Sequence, residues 1–550
     1  MTRWWLAVVC GVGWLVLAGA VVAPLVGTVW AVTDPAHVAT QVVHTPNAGA
    51  LARRSLTLSA TATGGAMLLG ILPAAVLGAC SRRAWPWLLG LVLAPLIVPP
   101  QVYAYGWGLV QPGIVGPWTG ASPEGRQTAS AIRAGLISAG WLWPVVSLVI
   151  AAGWRSTGQL VYRLAVLDAS PLRAFVRAVL PSLRSHLVAA ACLVMGITLI
   201  EYAIPHLTLC RVWATELMVL VEIAAPAGQI VRMAVQPAVV VAGLAAVVTW
   251  TIRGTGGWQA ISDEETTPDR TARLKRRGSG FGTRGSGFFT RAPSPEPRAP
   301  LPRPWLVAWV GAGVIWVATL GLPLVAMLAN LRVPGAWASG LATFSGQWAD
   351  SLQVAAGTGL AAVALALGTV GWFKASRRRL PQWGGIASLL AAIVPPPAMG
   401  IGFVLVFNRG GLIGEVYTQT PMVWILALVG RYGAVAVLIA WLAVGRRDIA
   451  AMDQARVDGG TSLDILGHVL LPLIWPSLLA AGSIVAVLAV FEVVVTQMTA
   501  PPAYGSIAMT VLNYMHYGRD DAVITSSVTL MAAGVLLTAV CGRVLARVGK

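Results

Sequence analysis

Long apolar runs recur along this chain, parted by short polar, basic or Pro/Gly-containing stretches. A helix crossing a hydrocarbon core of roughly 30 Å takes about 20 apolar residues. Twelve runs of about that length are present, at 4–32, 55–79, 86–111, 130–153, 186–205, 234–252, 304–329, 351–373, 384–408, 422–445, 477–498 and 522–545. The pattern predicts an all-α integral membrane protein with about 12 transmembrane helices. The first run follows Thr2-Arg3 and continues for nearly thirty residues. That exceeds the 7 to 15 residues of a signal-peptide core, so it is read as the first span.

The runs fall into two similar sets of six. Ile97-Val98-Pro99-Pro100 recurs as Ile393-Val394-Pro395-Pro396, each within the third run of its set, and Leu180-Pro181 recurs as Leu471-Pro472 after the fourth. Glu201 and Glu492 follow those prolines at the same distance. Six spans is an even number, so the two sets share one orientation, as parallel repeats about an axis along the membrane normal. The division is a first half, 1–253, a linker, 254–303, and a second half, 304–550.

Composition agrees, with 57% hydrophobic and 11% charged residues. The net charge of +18 does not mark a nucleic-acid binder, because the basic residues gather in alternate loops. Arg3, Arg82 and Arg83, 155–184, 253–303, 374–379, 446–456 and 543–550 hold 28 of the 38 Lys and Arg residues. These mark the cytoplasmic face, and both termini are assigned to it. The linker, rich in Gly, Ser, Pro and Arg, is read as a disordered cytoplasmic tether; a role in binding anionic lipid is the lesser alternative. Five cysteines, Cys10, Cys80, Cys192, Cys210 and Cys541, show no paired spacing.

One polar stretch stands between runs ten and eleven, Asp453 to Pro472. Leu463, Leu466, Val469 and Leu470 have helical spacing. Asp458 or Thr461 is placed to cap a helix start, Gly459 and Gly460 permit a sharp turn, and Pro472 is expected to end or redirect the helix before the next span.

This stretch resembles the inner-membrane permeases of binding-protein-dependent ABC importers, whose signature is Glu-Ala-Ala, three residues, Gly, nine residues, Ile-x-Leu-Pro. Asp453, Gln454 and Ala455 stand at the acidic triplet, Gly459 at the Gly, and Val469, Leu471 and Pro472 at the closing motif. A degenerate copy occupies 155–185: Arg163, Leu164 and Ala165 replace the triplet, Ala169 follows Asp168 where Gly is expected, and the distance to Leu180-Pro181 is one residue shorter. The fused halves with Pro-rich third spans look most like the ferric-iron type.

The resemblance implies a type I importer fold in which loops 155–185 and 446–476 are coupling helices seated on a separate ABC ATPase, two copies of it, in a bacterial inner membrane. It also implies an extracytoplasmic binding protein that delivers cargo, with ferric iron first and thiamine, a phosphonate, a polyamine or an oxyanion as alternatives. ATP and Mg belong to the partner; no cofactor is expected on this chain, which lacks the Gly-x-x-x-x-Gly-Lys-Ser/Thr phosphate cradle and has no enzymatic site of its own.

Glu201 and Glu492 lie toward the outer part of spans five and eleven, where they are either gate or path residues or helix–helix hydrogen-bonding groups. Pro99, Pro100, Pro395 and Pro396 mark kinks whose freed carbonyls line a path, or else simple packing bends. His37, His44, His206 and His516 are widely separated in outer loops, which argues against a metal site. The rival of another class is a proton-coupled secondary transporter of the major-facilitator type. Its basic motif carries Gly and Asp near the arginines, and Cys80-Ser81-Arg82-Arg83-Ala84-Trp85-Pro86 has neither. A membrane-embedded enzyme or scaffold lacks any cluster of ligands inside the spans.

Overall fold

In a bilayer each backbone N–H and C=O must be satisfied within the protein, which leaves helices as the means of crossing for a chain of this pattern. The computed structural model describes residues 4–34, 47–81, 84–110, 122–254, 303–332, 344–376, 379–445, 449–518 and 520–548, with Trp337 and Ala342. Most of the linker, Arg82, Arg83, His37 and His44 lie outside them. Among the described residues there is no strand. Eight helices are long and apolar enough to cross a membrane: Trp4–Thr33, Ala48–Ala79, Pro123–Ser156, Ala227–Thr251, Leu306–Ala329, Ser345–Ser376, Met422–Val444 and Ser462–Phe491.

Three further pairs pass the same test jointly but are bent: Trp87–Ile97 with Pro100–Val110 by 79°, Phe175–Ser182 with Arg184–Ile200 by 55°, and Leu380–Ala391 with Pro396–Phe407 by 118°. The protein is thus a helical membrane protein with 8 to 11 candidate spans among the described residues, and the last apolar run lies in helix Asp520–Val548. The third run of each set was expected to be a kinked single span. At 118° the second of these nearly reverses the chain, because Pro395, Pro396 and Pro397 withhold three successive amide donors.

Four other prolines follow a widened helical turn. Ala18–Val22, Phe175–Val179, Val317–Gly321 and Ile465–Leu470 are π-helical, and each ends one residue short of a proline, at Pro24, Pro181, Pro323 and Pro472. The residue before each proline, Ala23, Leu180, Leu322 or Leu471, donates five residues back, to Ala18, Phe175, Val317 or Leu466. Widening the turn relieves the clash between the ring and the carbonyl four residues earlier. Pro472 accordingly does not end its helix: Ser462–Phe491 runs through it, contrary to the expectation from sequence. In the first copy a bend of 55° does follow Pro181, at Leu183.

The two sets exchange their first helices. Trp4–Leu17 packs on Ser345–Ala366 and Ala23–Thr33 on Pro396–Phe407; in return Arg303–Trp316 packs on Ala48–Ala79 and Leu322–Ala329 on Pro100–Val110. Lipid offers no hydrophobic drive between helices, so close backbone approach and polar bonds hold such crossings. Tyr103 Oη donates to the Thr319 carbonyl at 2.7 Å, and the Trp143 and Trp316 indoles donate to Thr319 Oγ1 and the Leu91 carbonyl, each at 3.0 Å. At the Gly27–Gly402 crossing a Cβ on Gly27 would stand 2.3 Å from the Gly402 carbonyl oxygen, and one on Gly402 would stand 2.2 Å from that of Pro24.

Gly402→Val should therefore lower the thermal unfolding temperature of the detergent-purified protein, overpacking costing about 1–3 kcal/mol. Gly11→Ala, with no atom within 4 Å of the added methyl, should leave it unchanged or raised. Equal unfolding of Gly402→Val and the unsubstituted protein would refute the close crossing.

Candidate coupling loops and intramembrane site

Each polar loop after a fourth apolar run folds as helix, turn, helix. In the second, helix Ile449–Val457 carries Asp453, Gln454 and Ala455. Gly459 follows with φ +82°, a left-handed conformation that a side chain would strain, and the Gly460 amide closes the turn on the Ala455 carbonyl at 2.9 Å. Thr461 then caps the next helix, its Oγ1 accepting from the Asp464 amide at 3.3 Å while Asp464 Oδ2 accepts from the Thr461 amide at 3.0 Å. Of the two caps offered by the sequence, Thr461 takes the place; Asp458 instead accepts from Gln454 Nε2 at 3.1 Å.

The loop is tied down by Arg456, whose guanidinium donates to Asp453 at 2.6 Å and to the Lys374 carbonyl at 2.8 Å. Ile465, Leu466 and Leu470 are buried, whereas Val469 and Leu471 are half-buried and Pro472 is exposed. Val457 stands 82% exposed beside exposed Asp458 and Gly459.

The first loop differs in its surface. Helix Gln159–Ala165 bears Arg163 and Ala165, turns at 166–168, and passes exposed Asp168 and half-buried Ala169 to helix Pro171–Ala174. Ala169 has no positive φ, unlike Gly459, so the turn is built without a left-handed residue. Leu160, Leu164, Leu167, Phe175, Val176 and Leu180 are all exposed, interspersed with Arg163, Arg173 and Arg177. An apolar patch rimmed by charge on a loop is a mark of an interaction surface.

At the far end of the fifth and eleventh runs the chain breaks at the two glutamates with nearly the same geometry. Glu201 has φ −77°, ψ 131° and Glu492 has φ −77°, ψ 130°. Glu201 accepts from the Ala203 and Ile204 amides at 2.8 and 3.0 Å, and Glu492 from the Val495 and Thr496 amides at 2.9 and 2.8 Å. Each carboxylate thus caps the short helix beyond its own break, Ala203–Leu207 or Val494–Thr499, rather than bonding to a neighbouring helix.

The prolines of the third runs come near these breaks in part. Pro395, Pro396 and Pro397 line a small pocket of about 10 Å³, room for a single water, together with Tyr202 and Val494. Pro99 and Pro100 do not line it. Three carbonyls beside these prolines are taken up: Val98 accepts from the Trp141 indole at 3.0 Å, and the Pro99 and Pro395 carbonyls accept from the Tyr103 and Met399 amides.

A residue that the reading of the sequence passed over joins this region. Arg431, within helix Met422–Gly445, acts electrostatically on both Glu201 and Glu492, and its Nε finds no acceptor among the described residues. A lone cation inside an apolar run was the available signal. Likewise His206 and His516, far apart in sequence, come together with Nε2 atoms 3.2 Å apart, although no group of three or more metal-ligating side chains forms among the described residues. No family model, curated protein or solved structure matches this chain.

Glu492→Gln keeps one acceptor but turns an amide N–H₂ toward a backbone donor. Unfolding of the purified variant should be easier by about 1–3 kcal/mol, the penalty of an unsatisfied buried polar group. An unaltered unfolding temperature would show that the carboxylate does not hold the break.

Proposed function

We propose that this chain is the translocation subunit of an ATP-driven ABC importer, its two six-span halves arranged as in type I permeases. The observation that carries the reading is the pair of helix–turn–helix loops, one after the fourth apolar run of each half. The second has the signature spacing with a left-handed Gly459 in its turn, and the first bares six large apolar side chains. Two copies of an ATPase subunit would seat on these loops and supply the ATP and Mg chemistry. An extracytoplasmic binding protein would deliver the cargo, ferric iron, to the opposite face. The membrane is a bacterial inner membrane with both termini in the cytoplasm.

The mechanical consequence follows from the packing. The second loop is continuous with helix Ser462–Phe491 and pinned to the end of Ser345–Ser376 through Arg456, so a push on the loop moves both helices together. That motion reaches Glu492, at the end of the same helix, where Arg431 and the break of the other half also gather. The first loop is set off from Arg184–Ile200 by the bend at Leu183, a looser linkage. The halves would thus be driven unequally, the second directly and the first through a hinge.

The test is affinity purification of the tagged chain in mild detergent, with an ATPase expected to accompany it. Leu164→Asp and Phe175→Asp, both at exposed positions, should abolish recovery through the first loop without altering the yield of the chain. Gly459→Val, strained by its φ and not by any neighbouring atom, should reduce recovery at least several-fold. ATP-dependent iron uptake in proteoliposomes should fall in parallel. Uptake driven by a proton gradient, with no ATPase recovered, would replace this reading with that of a secondary transporter.

A further inference from the structure

The pairing of His206 with His516 owes nothing to the coupling loops and lies at the other end of the bundle. His206 sits in helix Ala203–Leu207, just past the Glu201 break, and His516 ends helix Ile507–His516 of the second half. Their Nε2 atoms are 3.2 Å apart, with ring centroids separated by 5.3 Å and planes at 84°. Two imidazole nitrogens bound to one tetrahedral Zn²⁺ at 2.0–2.1 Å stand about 3.3 Å from each other. The separation, that of an N–H···N hydrogen bond in the absence of an ion, also matches the bite of a tetrahedral cation.

A second contact orients the pair. Tyr202 stacks on His206 with centroids 4.8 Å apart, and its Oη lies 2.9 Å from His206 Nδ1. With Nδ1 protonated and donating to Tyr202, the Nε2 lone pair of His206 faces His516, as an outer-shell partner fixes a metal-binding tautomer. His516 is exposed and His206 half-buried, so an ion reaches them and two coordination positions remain for water.

We propose that His206 and His516 form a two-imidazole site for a divalent transition cation of the Zn²⁺, Ni²⁺ or Cu²⁺ class, bridging the two halves at the end away from the loops. Imidazole suits these ions, and no carboxylate is required. The site is independent of the importer reading, since binding to the isolated chain needs neither an ATPase nor a binding protein. An ion seated there ties the short helix after the Glu201 break to the second half.

The experiment is calorimetric titration of Zn²⁺ into the full chain, purified through a tag without histidine, beside Cu²⁺ paramagnetic resonance of the same samples. One equivalent should bind, at least tenfold more weakly in His516→Ala and in His206→Ala, and several-fold more weakly in Tyr202→Phe. Nitrogen splitting from two imidazoles should reduce to one in either single variant. His516→Ala alters an exposed side chain, so an unchanged gel-filtration profile and unfolding temperature without metal confirm a folded control. Equal Zn²⁺ affinity in His516→Ala and the unsubstituted chain would overturn the proposal and leave the pair as a hydrogen bond only.

Discussion

Satisfying the backbone inside an apolar medium is the constraint on which this structure turns. A chain carrying 35 prolines and 60 glycines within mostly membrane-spanning sequence interrupts its own helical ladder repeatedly, and in lipid each interruption must be repaired from within. Three repairs are used. A π-helical turn one residue ahead of Pro24, Pro323 and Pro472 lets the helix continue, whereas after the same turn at Pro181 the chain bends at Leu183. An indole from Trp141 takes up the Val98 carbonyl at the first break of the third run. A glutamate at each later break turns both its oxygens onto the amides that begin the next short helix.

These repairs decide what can move. Helices carried through prolines stay continuous, as from the second loop to Glu492. Broken segments act as separate bodies joined at a capped corner, and the corners at Glu201 and Glu492 meet around Arg431 and the proline-lined pocket. Exchange of the first helices between the sets adds a further restraint. Because Trp4–Leu17 lies on the second set and Arg303–Trp316 on the first, neither set can swing away alone.

The loops show how the same layout yields different surfaces. Gly459 lets the second loop turn tightly and bury Ile465, Leu466 and Leu470 against its own protein. The first loop, which turns without a left-handed residue, leaves Leu164, Leu167 and Phe175 uncovered. The degenerate copy, weaker by spacing, therefore offers the larger apolar surface.

The helical class, the places of the apolar runs and the turn at Gly459 were legible in the sequence, because each depends on residues near one another along the chain. Hydrophobic run length sets a span, and a glycine beside a capping threonine sets a turn. The outcome at Pro472 was not legible, since whether a helix ends or widens depends on whether packing holds it together beyond the proline. The gathering of Glu201, Glu492 and Arg431, and of His206 with His516, required the whole fold. Residues some 310 positions apart become neighbours only when two sets of helices are packed face to face, and local pattern carries no record of that distance. The sequence by itself determined where the apolar helices lie and which glycine permits a tight turn; the tertiary structure decided which prolines bend the chain and which bends meet, because both are set by helix packing and not by spacing along the chain.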